Sequence, residues 1–307
     1  METGLIIKST GSWFTVKKQD GLVINCKIKG SFRIRGIRNT NPVAVGDHVR
    51  FVIKGEHGII QEIYPRRNYI IRKSSNLSKE NQIIASNIDQ VLLVITLVLP
   101  RISTEFIDRF LVTAEAYSIP PILIFNKIDL YDNRKTKELK EIRSVYTMAG
   151  YKSIKISATE RINLEELKTI IKNKISLIAG HSGVGKSAIL NALDNNLNLR
   201  TESVSKLHKT GKHTTTYAEM HALDFGGYVI DTPGIKGFGL VDFEKEEIYH
   251  YFPEIFKASK DCEYNNCSHT HEINCAVKNS LEKGLISKSR YISYLRILED
   301  KSEKYRS

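Results

Sequence analysis

Four short stretches of this chain have the residue types and spacing to handle a nucleoside triphosphate. Gly180-His181-Ser182-Gly183-Val184-Gly185-Lys186-Ser187 has the glycine spacing that lets backbone N–H groups close on phosphate oxygens. Lys186 would reach the β- and γ-phosphates, and the Ser187 hydroxyl would take Mg²⁺. Asn126-Lys127-Ile128-Asp129 offers the Asp129 carboxylate to guanine N1–H and its exocyclic amine, a donor pair that adenine does not present. Ser157-Ala158 suits a backbone N–H donated to guanine O6. Asp231-Thr232-Pro233-Gly234 would put Asp231 in the Mg²⁺ shell and the Gly234 N–H at the γ-phosphate. Between these last two motifs, one of Thr214, Thr215 and Thr216 should complete the Mg²⁺ shell, with Thr215 preferred. The place just after the Asp-x-x-Gly motif, where many GTPases carry a water-orienting Gln, holds Ile235. Slow intrinsic turnover is expected, with His213 or a group from a partner as the candidate to orient water.

A second constellation lies near the C-terminus. Cys262, Cys267, His269 and Cys275 follow the pattern C-x4-C-x-H-x5-C. Three thiolates and one imidazole make a closed tetrahedral set for structural Zn²⁺, with no open position for catalysis. His271 is the competing imidazole. Cys26 stands alone in an expected strand and reads as a small core residue.

The elements around these motifs read clearly. Gly4–Lys8, Trp13–Lys17, Leu22–Ile28, Asp47–Ile53 and Ile59–Ile63 are short strands separated by turn residues, as in a small barrel of the OB type or an SH3-like one. Lys17, Lys27, Lys29, Arg33, Arg35, Arg38 and Arg50 would decorate it. Residues 66–88 are polar and basic and read as a linker. From Ile88 the texture becomes that of a doubly wound α/β sheet. Val91–Val98, Ile122–Phe125, Ile154–Ile156, Ile175–Ala179 and Tyr228–Ile230 are strands; Thr104–Tyr117, Arg134–Ala149, Leu164–Lys172 and Ser187–Leu193 are helices. After about residue 240 the chain turns helical and polar. The expected domains are an N-terminal barrel over 1–70, a nucleotide-binding domain over 71–240 and a mainly helical zinc domain over 241–307.

Charge points to a polyanion. The net charge is +12, and residues 1–73 alone hold 14 Lys and Arg against 5 Asp and Glu. Leu5-Ile6-Ile7 is too short for a secretory signal, and Val91–Leu99 is about half a membrane span. With no disulfide framework and no dimerisation heptad, a cytoplasmic monomer is expected.

The base loop precedes the phosphate loop, the reverse of an ordinary GTPase, so the domain has been cut and rejoined. The full-length order of barrel, inverted motifs and Cys/His cluster resembles the RsgA family of circularly permuted bacterial GTPases. The residues that carry the resemblance are Gly180–Ser187, Lys212-His213-Thr214-Thr215-Thr216, Asp231-Thr232-Pro233-Gly234-Ile235 and the cysteine cluster. It implies an OB-fold, a permuted GTPase domain and a zinc domain. It further implies late maturation of the small ribosomal subunit, with GTP hydrolysis promoted by the subunit and release afterwards. Two other readings stay open. One is an RNA-binding module with a structural nucleotide; intact Lys186, Ser187 and Asp231 speak against it. The other is a GTPase of mature ribosomes or another structured RNA.

Overall fold

Alternating side chains build the first unit. The computed structural model describes residues 1–28, 42–72, 82–199, 218–231 and 244–299. Strands β1 (Glu2–Ser9), β2 (Phe14–Lys18), β3 (Val23–Ile28), β4 (His48–Lys54) and β5 (His57–Ile63) send Ile6, Phe14, Val16, Cys26, Val49, Phe51 and Ile60 into one core. They pair in the order β1-β2-β3-β5-β4, and β1 pairs again with β4, so the sheet closes on itself. The β3–β5 pair is parallel and the rest antiparallel. This closure is that of an OB-fold. A bulge between Ile6 and Lys8 lets β1 bend far enough to serve both neighbours.

The described parts of the segment expected as a linker, 66–72 and 82–88, are structured. Strands β6 (Tyr69–Arg72) and β7 (Gln82–Ser86) form an antiparallel pair. Arg66 and Ser86 there are structural: Arg66 makes a forked ion pair with the fully buried Asp47, which also accepts from Ser86 Oγ and the Ala44 N–H. The expected boundary between residues 70 and 71 therefore falls inside β6. Polar composition misled because these side chains satisfy one another instead of water.

The same sheet continues beyond β1 into a parallel, largely apolar part. Strands β8 (Gln90–Ile95), β9 (Pro121–Phe125), β10 (Lys152–Lys155), β11 (Ile175–Ala179) and β13 (Tyr228–Asp231) lie in the order β10-β9-β8-β11-β13. Every residue of β8 and β9 is buried, as expected for strands covered on both faces. An antiparallel strand not anticipated from the sequence, β12 (Glu219–Ala222), lies between β13 and β1, meeting β1 at Lys8↔Glu219. Helices α1 (Thr104–Ala116), α2 (Asn133–Met148), α3 (Leu164–Ile171) and α4 (Lys186–Leu193) follow the strands. Ser103 caps α1 through the Phe106 N–H, and Asp132 caps α2 through the Lys135 N–H.

The third unit has its own core. A 3-10 segment (Lys245–Tyr251) and helices α5 (Pro253–Ser259), α6 (Ala276–Glu282) and α7 (Lys288–Glu299) pack Ile248, Phe252, Ile255, Val277, Tyr294 and Ile297 together. Val112 of α1 belongs to this core. No helix among the described residues is long and apolar enough to cross a membrane.

Candidate functional site

The carboxyl ends of the parallel strands gather the nucleotide motifs. The chain leaves β8 towards β9, whereas β13 lies on the other side of β11, so the connections diverge between β8 and β11. Open α/β sheets bind ligands outside the strand ends at such a divergence. The phosphate loop follows β11 there. Gly180 has φ +142, and a Cβ on it would lie 2.6 Å from the Val94 carbonyl oxygen, so only glycine fits. Gly185 precedes the first turn of α4 with φ +98, and a Cβ there would lie 2.5 Å from Asn126 Nδ2. Lys186 and Ser187 open α4, where the helix N-terminus adds positive potential. The Lys186 ammonium donates to the carbonyls of Gly180 and His181 at 2.8 and 2.9 Å. The His181 ring packs edge-on against Phe106, centroids 4.2 Å apart. Ser182 is exposed, whereas Val184 is fully buried.

Asn126 ties the base loop to both neighbours. Its Nδ2 donates to the Val184 carbonyl at 2.9 Å, and its Oδ1 accepts from the Ala158 N–H at 3.2 Å. Of the Ser157-Ala158 N–H groups, one of which is expected to serve guanine O6, that of Ala158 is thus bonded to Asn126 and that of Ser157 to the Ile162 carbonyl at 3.3 Å. Lys127, in the left-handed region with φ 61, donates to the carbonyls of Gly183, at 2.7 Å, and Leu99. Burial lowers its pKa and the charge of Asp129 opposes this. Asp129 lies exposed on the short 3-10 turn Ile128–Leu130. Ser157 is fully buried, and its Oγ accepts from the Glu160 N–H at 3.0 Å. Sequence reasoning missed Tyr131, whose hydroxyl donates to the Asn126 carbonyl and accepts from the Leu97 N–H, both at 3.0 Å. Burial pushes that phenol up to about 12, so it stays a donor. A tyrosine just past the loop was its only signal.

Asp231 ends β13 in register with Ile178, beside the start of the phosphate loop. Burial raises its carboxyl pKa, and the charges of Lys186 and His221 pull it back. His213, Thr214, Thr215, Thr216, Thr232, Pro233, Gly234 and Ile235 lie outside the described residues, as do Lys29, Arg33, Arg35 and Arg38. Of the other basic barrel residues, Lys17 sits over the Tyr228 ring, Lys27 lies 4.2 Å from the centroid of the exposed Trp13 ring, and Arg50 pairs with Glu62.

The Cys/His cluster is assembled. The ligand atoms of Cys262, Cys267, His269 and Cys275 all lie within 4.8 Å of one another. Cys262 and Cys275 sulfurs are 3.9 Å apart, and His269 Nδ1 is 3.6 and 3.5 Å from them. Tetrahedral Zn²⁺ with ordinary bond lengths requires about 3.8 Å between sulfurs and about 3.6 Å from sulfur to nitrogen. The donor set therefore fits that ion. Burial pushes the Cys267 thiol up to about 12, so a thiolate persists there only beside a cation. His271 is exposed and bonds Thr270, outside the cluster. Around the ligands, Tyr291 and Tyr294 donate to the His269 and Ser268 carbonyls at 2.6 and 2.7 Å. Glu272 accepts from Ser268 and Thr270; these bonds outweigh its burial and hold its carboxyl at about 2.

Comparison with known proteins agrees with this geometry. The sequence model of the RsgA GTPase family matches residues 63–241, and that of the RsgA N-terminal domain matches residues 3–60. The small ribosomal subunit biogenesis GTPase RsgA of Phocaeicola vulgatus is 53% identical over 306 residues, covering 99% of both chains. The crystal structure of YjeQ from Thermotoga maritima superposes with TM-score 0.79 at 36% identity, covering 97% of each chain. That of YloQ, described as a circularly permuted GTPase, gives 0.75 at 30% identity, covering 97% of this chain and 94% of the other.

Proposed function

This chain belongs to the RsgA family of small-ribosomal-subunit biogenesis GTPases, and on that premise we propose how its residues perform the work. It is a GTP hydrolase of the permuted class. The observation that carries the site assignment is the pair of hydrogen bonds made by Asn126. They join base loop, phosphate loop and Ser157-Ala158 loop into one cradle although the three stand in permuted order.

Asp129 accepts from the guanine N1–H and amine, and Ser157-Ala158 faces O6. The backbone N–H groups from Gly180 to Ser187 take the phosphates, for which the Lys186 ammonium leaves its two carbonyls. Ser187, Asp231 and Thr215 would hold Mg²⁺, which supplies charge neutralisation between the β- and γ-phosphates. Gly234 senses the γ-phosphate. His213 orients water when the ribosomal subunit positions its loop; His213→Ala should then abolish subunit stimulation while nucleotide binding stays normal.

The chain acts as three units: the N-terminal barrel, the permuted nucleotide domain reaching to about residue 240, and the C-terminal unit over 241–307. GTP orders the switch segments, and the ordered state favours docking of barrel and zinc-holding unit on small-subunit rRNA. Hydrolysis lowers that affinity and the protein leaves late in subunit maturation. It works as a cytoplasmic monomer with one structural Zn²⁺ held by Cys262, Cys267, His269 and Cys275. The test is GTP turnover alone and with purified small subunits, large subunits or whole ribosomes. Stimulation by small subunits alone is expected. Equal stimulation by whole ribosomes, together with equal subunit affinity in GDP and in a non-hydrolysable GTP analogue, overturns the proposal.

A further inference from the structure

Helix α1 has two working faces. Ile107, Phe110, Leu111 and Ala114 recur at helical spacing and pack on the parallel sheet. Between them runs a second stripe, Glu105, Asp108, Arg109 and Val112, turned towards the C-terminal unit. Val112 enters that unit's core. Asp108, fully buried, accepts from Arg290 Nη1 of α7 at 2.9 Å and from the Tyr146 hydroxyl at 3.0 Å. Arg290, only 1% exposed, also forks onto Glu254 of α5 at 2.6 and 3.1 Å, and its guanidinium lies 4.6 Å from the Phe252 ring centroid.

The same helix touches the phosphate loop through its first turn. Phe106, two residues before Asp108, carries the His181 ring. Just upstream, the Lys127 ammonium bridges the Leu99 and Gly183 carbonyls, which fastens the lead into α1 to the phosphate loop. The contact through His181 is not indifferent to a ligand. Lys186 donates to the His181 carbonyl, and phosphate oxygens compete for that same ammonium. Filling the loop therefore changes the bonding of the residue that rests on α1.

We propose that α1 is a strut coupling phosphate-loop occupancy to the docking of the C-terminal unit, with Phe106 and Asp108 as its positioning residues. It rests on the nucleotide site argued above, and it is separate from the covalent path through residues 232–243. The γ-phosphate acts on that path; the β-phosphate suffices for the strut. GDP therefore isolates it.

The experiment is amide hydrogen exchange on the full metal-loaded chain with and without GDP, with GDP binding measured by calorimetry in the same samples. In the wild-type protein GDP should slow exchange of α7 amides (Lys288–Glu299) about fivefold, the low end of measured couplings. Strand β5 of the barrel should not respond. Phe106→Leu and Asp108→Asn should each still bind GDP but lose the slowing at α7. No slowing in the wild type, equal slowing at β5, or slowing retained in both variants overturns the strut. Failure of the wild-type chain to bind GDP overturns the nucleotide site itself, and the strut with it.

Discussion

Replacing Arg290 by methionine tests whether the buried ion network fixes the C-terminal unit to α1. Arg290→Met keeps most of the side-chain volume and removes the charge. It strands two carboxylates: Asp108, fully buried, and Glu254, whose side chain is 8% exposed in the pair. Breaking a buried pair by removing one partner costs about 3–5 kcal/mol, because the remaining charge must stay desolvated. Loss of the contact with the Phe252 face adds to this. A unit this small unfolds in urea with a slope of about 1–3 kcal/mol per molar, so its midpoint should fall by at least about 1 M. Pulsed alkylation reads each core separately. Cys267 and Cys275 report the C-terminal core and Cys26 the barrel, all three buried. Only the first two should become reactive at lower urea.

The pH dependence has a definite sign. Burial already raises the Asp108 carboxyl above its ordinary 3.8, more than Arg290 and the hydrogen bonds pull it down. Without Arg290 it rises further. A carboxyl raised in the folded state binds more protons there than in the unfolded chain, so stability falls as pH climbs through the folded value. The penalty of the variant, measured against wild type by circular dichroism, should be small near pH 4 and grow as pH rises, because the carboxyl is raised in the folded state. A penalty under about 1 kcal/mol at neutral pH, or one that does not change with pH, refutes the reasoning. Replacing Asp108, Glu254 and Arg290 together by apolar residues should cost far less than the single change, because no charge is left behind.

Three further outcomes follow from the site. Asp129→Asn replaces an acceptor by a group that also donates, so GTP affinity should fall at least about a hundredfold while xanthosine triphosphate, with a carbonyl at C2, gains; competition binding measures both. Gly185→Ala forces a methyl group towards Asn126 Nδ2 from a backbone at φ +98, with strain alone of about 1–2 kcal/mol, so nucleotide affinity should drop at least about tenfold with the fold retained by circular dichroism. Elemental analysis should find one zinc per chain, and stripping it with a chelator should expose Cys267 and Cys275 to alkylation while Cys26 stays protected.

What the sequence disclosed depended on how locally each feature is encoded. The phosphate loop is legible because glycines at fixed offsets between an apolar strand and a helix have few other uses. Strands β8 and β9 are legible because burial on both faces demands unbroken apolar runs. Strand β12 was not, since Glu219–Ala222 is only four residues with one buried apolar side chain, Met220. The pair β6–β7 was hidden for a different reason. Arg66 and Asn68 look like solvent-facing linker residues, and only the fold brings Asp47 and Ile88 to meet them. Asp108 and Arg290 are 182 positions apart and carry no local pattern at all.

Strand order accounts for the role of α1. The helix begins near residue 104 and the phosphate loop near residue 180, yet β8 and β11 are parallel neighbours. The helix that leaves the end of β8 must therefore start beside the loop that leaves the end of β11. The crossover to β9 then carries α1 away from that loop, and its outer stripe becomes the floor of the C-terminal core. Permutation keeps this arrangement and changes only what is joined to it. Lys172–Lys174 connects α3 to β11 in a tight turn, with the Lys174 N–H on the Ile171 carbonyl at 3.0 Å, so the rejoined point adds no slack. The free ends are then available for other units: the barrel and the β6–β7 pair enter at β8, and the chain runs on past Asp231 to the C-terminal helices. A C-terminal unit reached from the switch side by the chain and from the phosphate side by α1 is held at two separate points. Under the proposed switch and strut, one answers to the γ-phosphate and the other to any nucleotide. GDP and GTP should therefore leave different marks on α7, and that difference measures the two attachments separately.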